Sequence, residues 1–328
     1  MPLLSVVTPV YRAEKILPEL YRRLTVALKS ITEDYEIVMV EDCGGDASWA
    51  VIVGLAARDS RVKGIKLSRN FGQHPAITAG LDYVDGNWVV VMDCDLQDPP
   101  EEIPKLYRRA VDGGFDVVIG RRAGRQDSSI KKTGSKAFYK TFSYLSGTRN
   151  DGEAANFRIL SRKVVDAFRC LRERHRFFIA LVDWMGFSTD YIDVEHAPRY
   201  EGKTTYNYRK LIRLAVDTII SHSDRPLELA VYMGFAMSIL SFLVGGVYLM
   251  LTLINGSSVS GWPSLIISIY LLAGVNMLFL GFLGVYQART FNEVKGRPLY
   301  IVDQKTKSVA KVGTEHALND KSVERVGA

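Results

Sequence analysis

Cysteine is scarce in this chain of 328 residues, with three in all. Cys43, Cys94 and Cys170 stand far apart and make none of the paired spacings of a zinc site, a disulfide framework or a redox dithiol. An odd count, in a chain that opens without a signal peptide, fits a reducing cytoplasm. The three thiols are expected to pack rather than react. No G-x-G-x-x-G follows the first apolar run, which disfavours a Rossmann dinucleotide fold. No RNA- or DNA-binding motif is present either. The net charge of +6 is modest and the basic residues gather near apolar segments, so nucleic acid is not an expected partner.

Charge itself is missing from two long stretches. Residues 229–254 contain no Asp, Glu, Lys or Arg, and neither do residues 262–288. Each exceeds the roughly 20 residues needed to cross a bilayer, so a two-helix transmembrane hairpin is expected within residues 227–290. Its connection, Asn255 to Gly261, has no lysine or arginine, whereas Arg225 precedes the first stretch and Arg289, Lys295 and Arg297 follow the second. The positive-inside rule then places both ends in the cytoplasm, as a multi-pass protein of the inner (cytoplasmic) membrane. Residues 201–226 read as a juxtamembrane amphipathic helix. Within it Tyr208, Leu211, Ile212, Ala215 and Ile219 share one face, with Arg209, Lys210 and Arg213 off it. Residues 291–328 read as a cytoplasmic tail, without periodicity from Asp303 onward.

What remains, residues 1–200, alternates short apolar runs with helical periodicity. Leu3–Pro9, Tyr35–Val40, Val62–Leu67, Val89–Met92 and Phe115–Gly120 predict strands. Glu14–Leu28, Ala47–Ala57 and Pro75–Tyr83 predict helices, and Ser68–His74 a polar loop. Such alternation implies an α/β domain with a mainly parallel sheet and helices on both faces. Ligands of such sheets sit beyond the carboxyl ends of the strands. Asp42 stands at the end of the second strand. Asp93 and Asp95 form a D-x-D at the end of the fourth, before Pro99 and Pro100. Two hard oxygen ligands there suit Mg²⁺ or Mn²⁺ carrying a diphosphate, although a D-x-D also serves to cap a turn. A basic stretch follows the fifth strand: Arg121, Arg122, Arg125, Lys131, Lys132, Lys136 and Lys140, interleaved with Phe138, Tyr139, Phe142 and Tyr144. It fits a solvated helix face or an interfacial helix near anionic lipid.

Four blocks carry a resemblance: Val6-Val7-Thr8-Pro9-Val10-Tyr11, Val40-Glu41-Asp42, Leu67-Ser68-Arg69-Asn70-Phe71-Gly72 and Met92-Asp93-Cys94-Asp95-Leu96-Gln97-Asp98-Pro99-Pro100-Glu101. With the apolar hairpin they make the chain, from Leu3 to about Tyr300, resemble the family 2 glycosyltransferases of GT-A fold. The resemblance is to the polyprenyl-phosphate group, dolichol-phosphate mannose synthase-like and of the bacterial GtrB type. It implies inverting transfer of one sugar, glucose from UDP-glucose, to a membrane polyprenyl phosphate such as undecaprenyl phosphate. By position, Pro9, Tyr11 and Asp42 are implied to hold the base and ribose. Asp93 and Asp95 are implied to serve the diphosphate and metal, Asp95 more directly, with Gln97 beside them. Arg122, Arg125, Lys132 and Ser135 match the region implied to contact the acceptor phosphate.

The chain departs from the family at three places. Arg12-Ala13-Glu14 replaces Asn-Glu-Glu, which puts a nucleotide contact by Glu14 in doubt. Gly202-Lys203-Thr204-Thr205-Tyr206 replaces Gly-x-Ser-Lys-Tyr, with Lys203 the candidate substitute for the displaced base. In Ala154-Ala155-Asn156-Phe157-Arg158, Ala155 or Asn156 stands where relatives place the aspartate before Phe-Arg, so the enzyme is expected to be impaired at that step. A phosphate monoester is roughly nine-tenths dianionic at pH 7 and needs no proton removed, so that carboxylate is expected to position rather than to act as a base. Two other functions fit less well. A processive polysaccharide synthase would carry a Q-x-x-R-W motif and more spans, and a membrane scaffold or lipid-binding protein would have no use for the acidic pair. A homo-oligomer is compatible with all of these readings. The charge-free loop makes a prediction: a cysteine placed at Ser257 reacts with an impermeant thiol reagent on intact cells, and labelling only after lysis refutes the topology.

Overall fold

The computed structural model describes residues 3–122, 154–174, 176–195 and 261–306, with residues 231–237 and single positions as far as 254. The chain forms two compact units. One takes in residues 1–127, 150–204 and 298–328, the other residues 128–149 and 205–297.

The first unit is an eight-stranded mixed sheet. In chain order its described elements are β1 (Leu4–Val10), α1 (Leu17–Lys29), β2 (Tyr35–Glu41), α2 (Ser48–Arg58), β3 (Val62–Leu67), α3 (Gln73–Asp82) and β4 (Trp88–Val91). A single 3₁₀ turn, Pro100–Glu102, leads into α4 (Ile103–Gly113). Then come β5 (Val117–Arg122), β6 (Ala154–Ser161), α5 (Arg162–Cys170), α6 (Phe178–Trp184), β7 (Thr189–Val194) and β8 (Val302–Lys305). The strand order is β7-β5-β6-β4-β1-β2-β3-β8. Strands β4, β1, β2 and β3 are parallel, as the alternation predicts, while β6 runs antiparallel to both β4 and β5.

Period-two alternation divides the core. Leu4, Val6, Val10, Ile37, Met39, Val90 and Met92 face Leu17, Leu20, Leu24, Ile103 and Leu106 of α1 and α4. Val7, Val38, Val40, Val89 and Val91 face Ala76 and Ile77 of α3, with Phe168 of α5 and Phe178 of α6. Helix α3 lies so close on this second face that a Cβ on Gly80 would come within 2.3 Å of Val7 Cγ1. That approach fixes the axis of α3, and its first turn is therefore delivered to the carboxyl edge of the sheet.

β1 continues one residue past Pro9, to Val10. Val7 O accepts the Met92 N–H on the β4 side and Val10 O accepts the Asp42 N–H on the β2 side. Pro9 therefore turns its missing N–H toward β4, where it can offer Met92 no ladder bond, and β4 ends at Val91.

The C-terminal tail requires correction. Val302–Lys305 is not irregular but forms β8, antiparallel to β3, within the expected tail of residues 291–328. Tyr300 and Val302 pack onto the α3 face of the core, and Tyr300 Oη donates to buried Asp82 Oδ2 at 2.6 Å. Polar Asp303 and Gln304 hide the strand in the sequence, as charged residues do on many edge strands.

Of the second unit, α7 (Trp262–Val294) is the long described element. Among the described residues it is the one helix long and apolar enough to cross a membrane, over Leu271–Val294, with mean hydropathy 1.6. The expected span at 262–288 lies within it. Of the expected span at 229–254, residues 231–237 are helical and Val231, Tyr232, Met233 and Phe235 are exposed. The juxtamembrane segment 201–226 and most of the connecting loop lie outside the described residues.

Candidate functional site

The carboxyl edge of β4, β1 and β2 gathers the acidic residues singled out from the sequence. Asp42 directly follows β2 and is 4% exposed. Its Oδ1 accepts the Phe71 N–H at 2.7 Å and its Oδ2 the Gly72 N–H at 2.9 Å. Burial raises its pKa, while these two N–H groups and the charge of Arg69 oppose the rise. Gly72 has φ +99°, a conformation any side chain would strain, and it caps α3 so that Gln73 opens the helix. The expected loop Ser68–His74 therefore ends earlier, at Gly72.

Asp93 lies two residues beyond β4 and is partly buried. Its Oδ1 accepts the Gln73 side-chain N–H at 2.7 Å and the Asn156 side-chain N–H at 3.2 Å. Register explains the second contact, because Val91 pairs with Arg158 across β4 and β6, which brings Asn156 opposite Asp93. Burial pushes Asp93 up to about 6, and the charges of Asp95 and Asp98 add to the rise. Asp95 Oδ1 accepts the Gln97 backbone N–H at 3.1 Å, an Asx turn across Leu96 at φ +60°. Cys94 packs against the core on the α1 and α4 face of the sheet. Burial, then the charge of Asp93, pushes its thiol up to about 12, which disfavours the reactive thiolate; Cys94 fits the packing expectation, whereas Cys43 and Cys170 are exposed and do not.

Between these acids stands the end of β1. Pro9 is buried and Tyr11 is 47% exposed, its ring 5.3 Å from the Arg12 guanidinium carbon. Arg12 takes φ +53° and donates Nε to Gly44 O at 3.0 Å. A Cβ on Gly44 would meet Arg12 N at 2.7 Å, so the loops after β1 and β2 interlock closely. Glu14 is spent in this interlock: its Oε2 accepts the Ala47 N–H at 2.9 Å, beside the start of α2.

Arg122 ends β5, and its side chain lies outside the described residues, as do Arg125, Lys132, Ser135 and Lys203 and the side chain of Ala155. Phe157 and Arg158 are scaffold: Phe157 is buried in the core, and Arg158, 0% exposed, lies over Phe178 at 5.2 Å. Burial pulls the Arg158 guanidinium down to about 10, against the charge of Asp183.

Two site contacts escape a sequence reading. Gln73 and Asn156 meet at Asp93 only through tertiary register, while buried Asp98 lies in the same motif as Asp93 and Asp95. Among the described residues no three His, Cys, Asp or Glu side chains form a metal cage. An ion carried on a diphosphate requires only one or two carboxylates, and adjacent Asp93 and Asp95 fit that demand.

This edge, with acids at the ends of parallel strands and a mixed sheet continued by β6 and β5, is that of an open α/β fold whose ligands lie beyond the strand ends. Residues 5–169 match the model for glycosyl transferase family 2. The chain belongs to that family and is a glycosyltransferase. It is 38% identical to an uncharacterized glycosyltransferase of Bacillus subtilis, over 92% of this chain and 93% of the relative. It is 35% identical to the prophage bactoprenol glucosyl transferase homolog of Escherichia coli, over 91% of this chain and 98% of the relative. It is also 35% identical to the undecaprenyl-phosphate 4-deoxy-4-formamido-L-arabinose transferase of Photorhabdus laumondii, over 92% and 93%. Among solved structures, mannosyl-3-phosphoglycerate synthase of Rubrobacter xylanophilus shares the fold with a TM-score of 0.51 at 14% identity, over 70% of this chain and 74% of that one.

Asp93 yields a pH prediction. Its folded pKa of about 6 lies above the ordinary 3.8. The folded chain therefore holds a proton that the unfolded chain releases between those values. The stability this lends is full below about pH 4 and is lost as pH rises through 6. Asp93→Asn keeps an acceptor oxygen for both amides and removes the buried charge. In chelator, the variant is expected to match the starting chain near pH 4 and to exceed it by on the order of 1–3 kcal/mol near pH 7.5. Denaturant titrations at the two pH values check this, and equal stability at both overturns it.

Proposed function

We propose that the chain transfers a single sugar, with inversion at the anomeric carbon, from a nucleotide sugar to a membrane polyprenyl phosphate. UDP-glucose is the donor and undecaprenyl phosphate the acceptor in this reading. The observation that carries it is the convergence of Asp42, Asp93 and Asp95 on one sheet edge. Full-length similarity to proteins named for bactoprenol and undecaprenyl-phosphate sugar transfer supports it. Pro9, Tyr11 and the loop held by Asp42 frame the base and ribose. Asp95 and Asp93 would hold Mg²⁺ or Mn²⁺, whose chemistry is to neutralise charge on the departing nucleoside diphosphate, with Gln97 beside them on the nucleotide. Arg122, Arg125, Lys132, Ser135 and Lys203 meet the acceptor phosphate as charge-assisted donors. A phosphate oxygen attacks the anomeric carbon, and the bond to the diphosphate breaks with its electron pair leaving on the nucleotide. The nucleophile is already a dianion, so no proton has to be taken from it. The apolar hairpin and the juxtamembrane helix keep the site at the cytoplasmic surface of the inner membrane, where the lipid phosphate lies.

A panel of labelled nucleotide sugars, offered with vesicles containing undecaprenyl phosphate and Mn²⁺, tests the reading. Label is expected in lipid with UDP-glucose, and EDTA abolishes it. Asp95→Asn loses metal-dependent donor binding by calorimetry. Equal donor affinity of the unmutated chain in EDTA and in Mn²⁺ sinks the metal assignment, and label released only as free sugar sinks the acceptor.

Asn156 bears on the rate. It faces Asp93 where relatives are expected to carry a carboxylate, and it supplies an amide N–H instead. We expect the chain as written to bind donor well and to transfer slowly. With Mn²⁺ present, Asn156→Asp raises turnover on the order of 10²–10⁴-fold with little change in donor KM. If turnover does not rise, the dianionic acceptor needs no carboxylate at this position.

A further inference from the structure

Gln73 lies outside every role given above, yet it makes the shorter of the two hydrogen bonds to Asp93, at 2.7 Å. It is an exposed residue in the first turn of α3, where a glutamine ordinarily extends into water. Here the side chain turns inward to a carboxylate 20 residues away in sequence. Asn156 donates to the same oxygen from β6. A carboxylate oxygen has two lone pairs, so these amides occupy Oδ1 and leave Oδ2 as the atom of Asp93 with capacity to meet a ligand. The terminal torsion of an aspartate is broad and roughly two-fold, so an unfastened carboxylate would present either oxygen in turn. Two donors from separate elements remove that freedom. They also place the positive ends of two amide dipoles against an oxygen that the charges of Asp95 and Asp98 crowd.

We infer that Gln73 is a positioning residue, which locks Asp93 so that one defined oxygen is available to the divalent cation of the donor site. The inference rests on the reading of Asp93 and Asp95 as the donor and metal site. It adds a residue that acts through Asp93 and does not touch the nucleotide. Partners that orient a metal-site carboxylate commonly contribute 10–100-fold in metal affinity. An exposed glutamine contributes little to folding, so the two roles separate experimentally.

The test uses the full chain in detergent, with UDP at saturation, and follows free Mn²⁺ by electron paramagnetic resonance. Gln73→Met keeps the length of the side chain and removes the N–H. Gln73→His restores a neutral N–H donor of similar reach. Gln73→Met is expected to weaken Mn²⁺ binding about 10–100-fold with an unchanged thermal midpoint, and Gln73→His is expected to stay within about threefold of the starting chain. The inference is overturned if Gln73→Met binds Mn²⁺ as the starting chain does, or if Gln73→His falls with it. If the starting chain shows no UDP-dependent Mn²⁺ binding, or Asp95→Asn does not reduce it, the donor-site reading itself falls and this inference with it.

Discussion

The Asp42 carboxylate, buried and bonded to two consecutive backbone N–H groups, is the contact on which the donor edge depends. A buried charge is costly unless it is met by donors, and here the donors are the main chain of the loop after β3. That loop has to return across the sheet, because β1 separates β2 from β4. Asp42 stops it at Phe71 and Gly72, and the next residue, Gln73, reaches Asp93. Three consecutive residues thus join the acid at the end of β2 to the acid beyond β4, over the end of β1 where Pro9 and Tyr11 stand. Removing the Asp42 carboxylate would release two amides, and through them the α3 terminus and the orientation of Asp93.

The two edges of the parallel strands are built differently. At the amino edge, Glu36 accepts Ser5 Oγ at 2.5 Å and the Asp85 N–H at 2.6 Å, and Lys63 pairs with Glu36 and Asp85. That network is internally satisfied and its loops need no unusual backbone. At the carboxyl edge, Arg12, Cys43 and Leu96 all take positive φ, directly after or near the ends of β1, β2 and β4. Such conformations cost on the order of 1–3 kcal/mol each and persist where the surroundings over-determine them. The Arg12–Gly44 interlock and the Asx turn at Asp95 are those surroundings. The strain sits on the ligand side of the fold, and the satisfied buried ion network carries the opposite side.

Much of this was legible in the sequence because burial on both faces writes itself as continuous apolar runs. Leu3–Pro9, Tyr35–Val40 and Val62–Leu67 read as strands for that reason, and the observed β1, β2 and β3 match them within a residue; with them come the strand-end positions of Asp42 and Asp93. Beyond β4, the apolar run Phe115–Gly120 marks β5, but β6 is not legible. β6 begins with small and polar residues, and its place between β4 and β5 is set by pairing over long separations. β8 was hidden for the opposite reason: as an edge strand it carries polar residues, and its anchor, the Tyr300–Asp82 bond, spans 218 positions. Gln73 and Asn156 carry no motif of their own, since what makes them site residues is the shared oxygen of Asp93. Glu14 shows the converse, because a family pattern marks it near the nucleotide while its carboxylate is used on the Ala47 N–H.

Charge balance gives Asn156 a physical meaning beyond a missing acid. Asp93 already stands beside Asp95 and near Asp98, and its proton is held up to about pH 6. An aspartate at 156 would set a second carboxylate against Asp93 Oδ1 at hydrogen-bond distance, where like charges cannot both ionise without a counter-ion. An amide at that place does the reverse, offering a donor to the crowded oxygen. With Asn156, ionised Asp93 and Asp95 balance one divalent cation, so the ion and the pair together would carry no net charge. With an aspartate the same site would hold one negative charge more and would call more strongly for the ion and for basic groups on the acceptor side. The substitution therefore trades grip on the cation for stability without it. An acid at this position, as the family resemblance implies, and the amide found here would be two settings of one electrostatic balance, read out at Asp93.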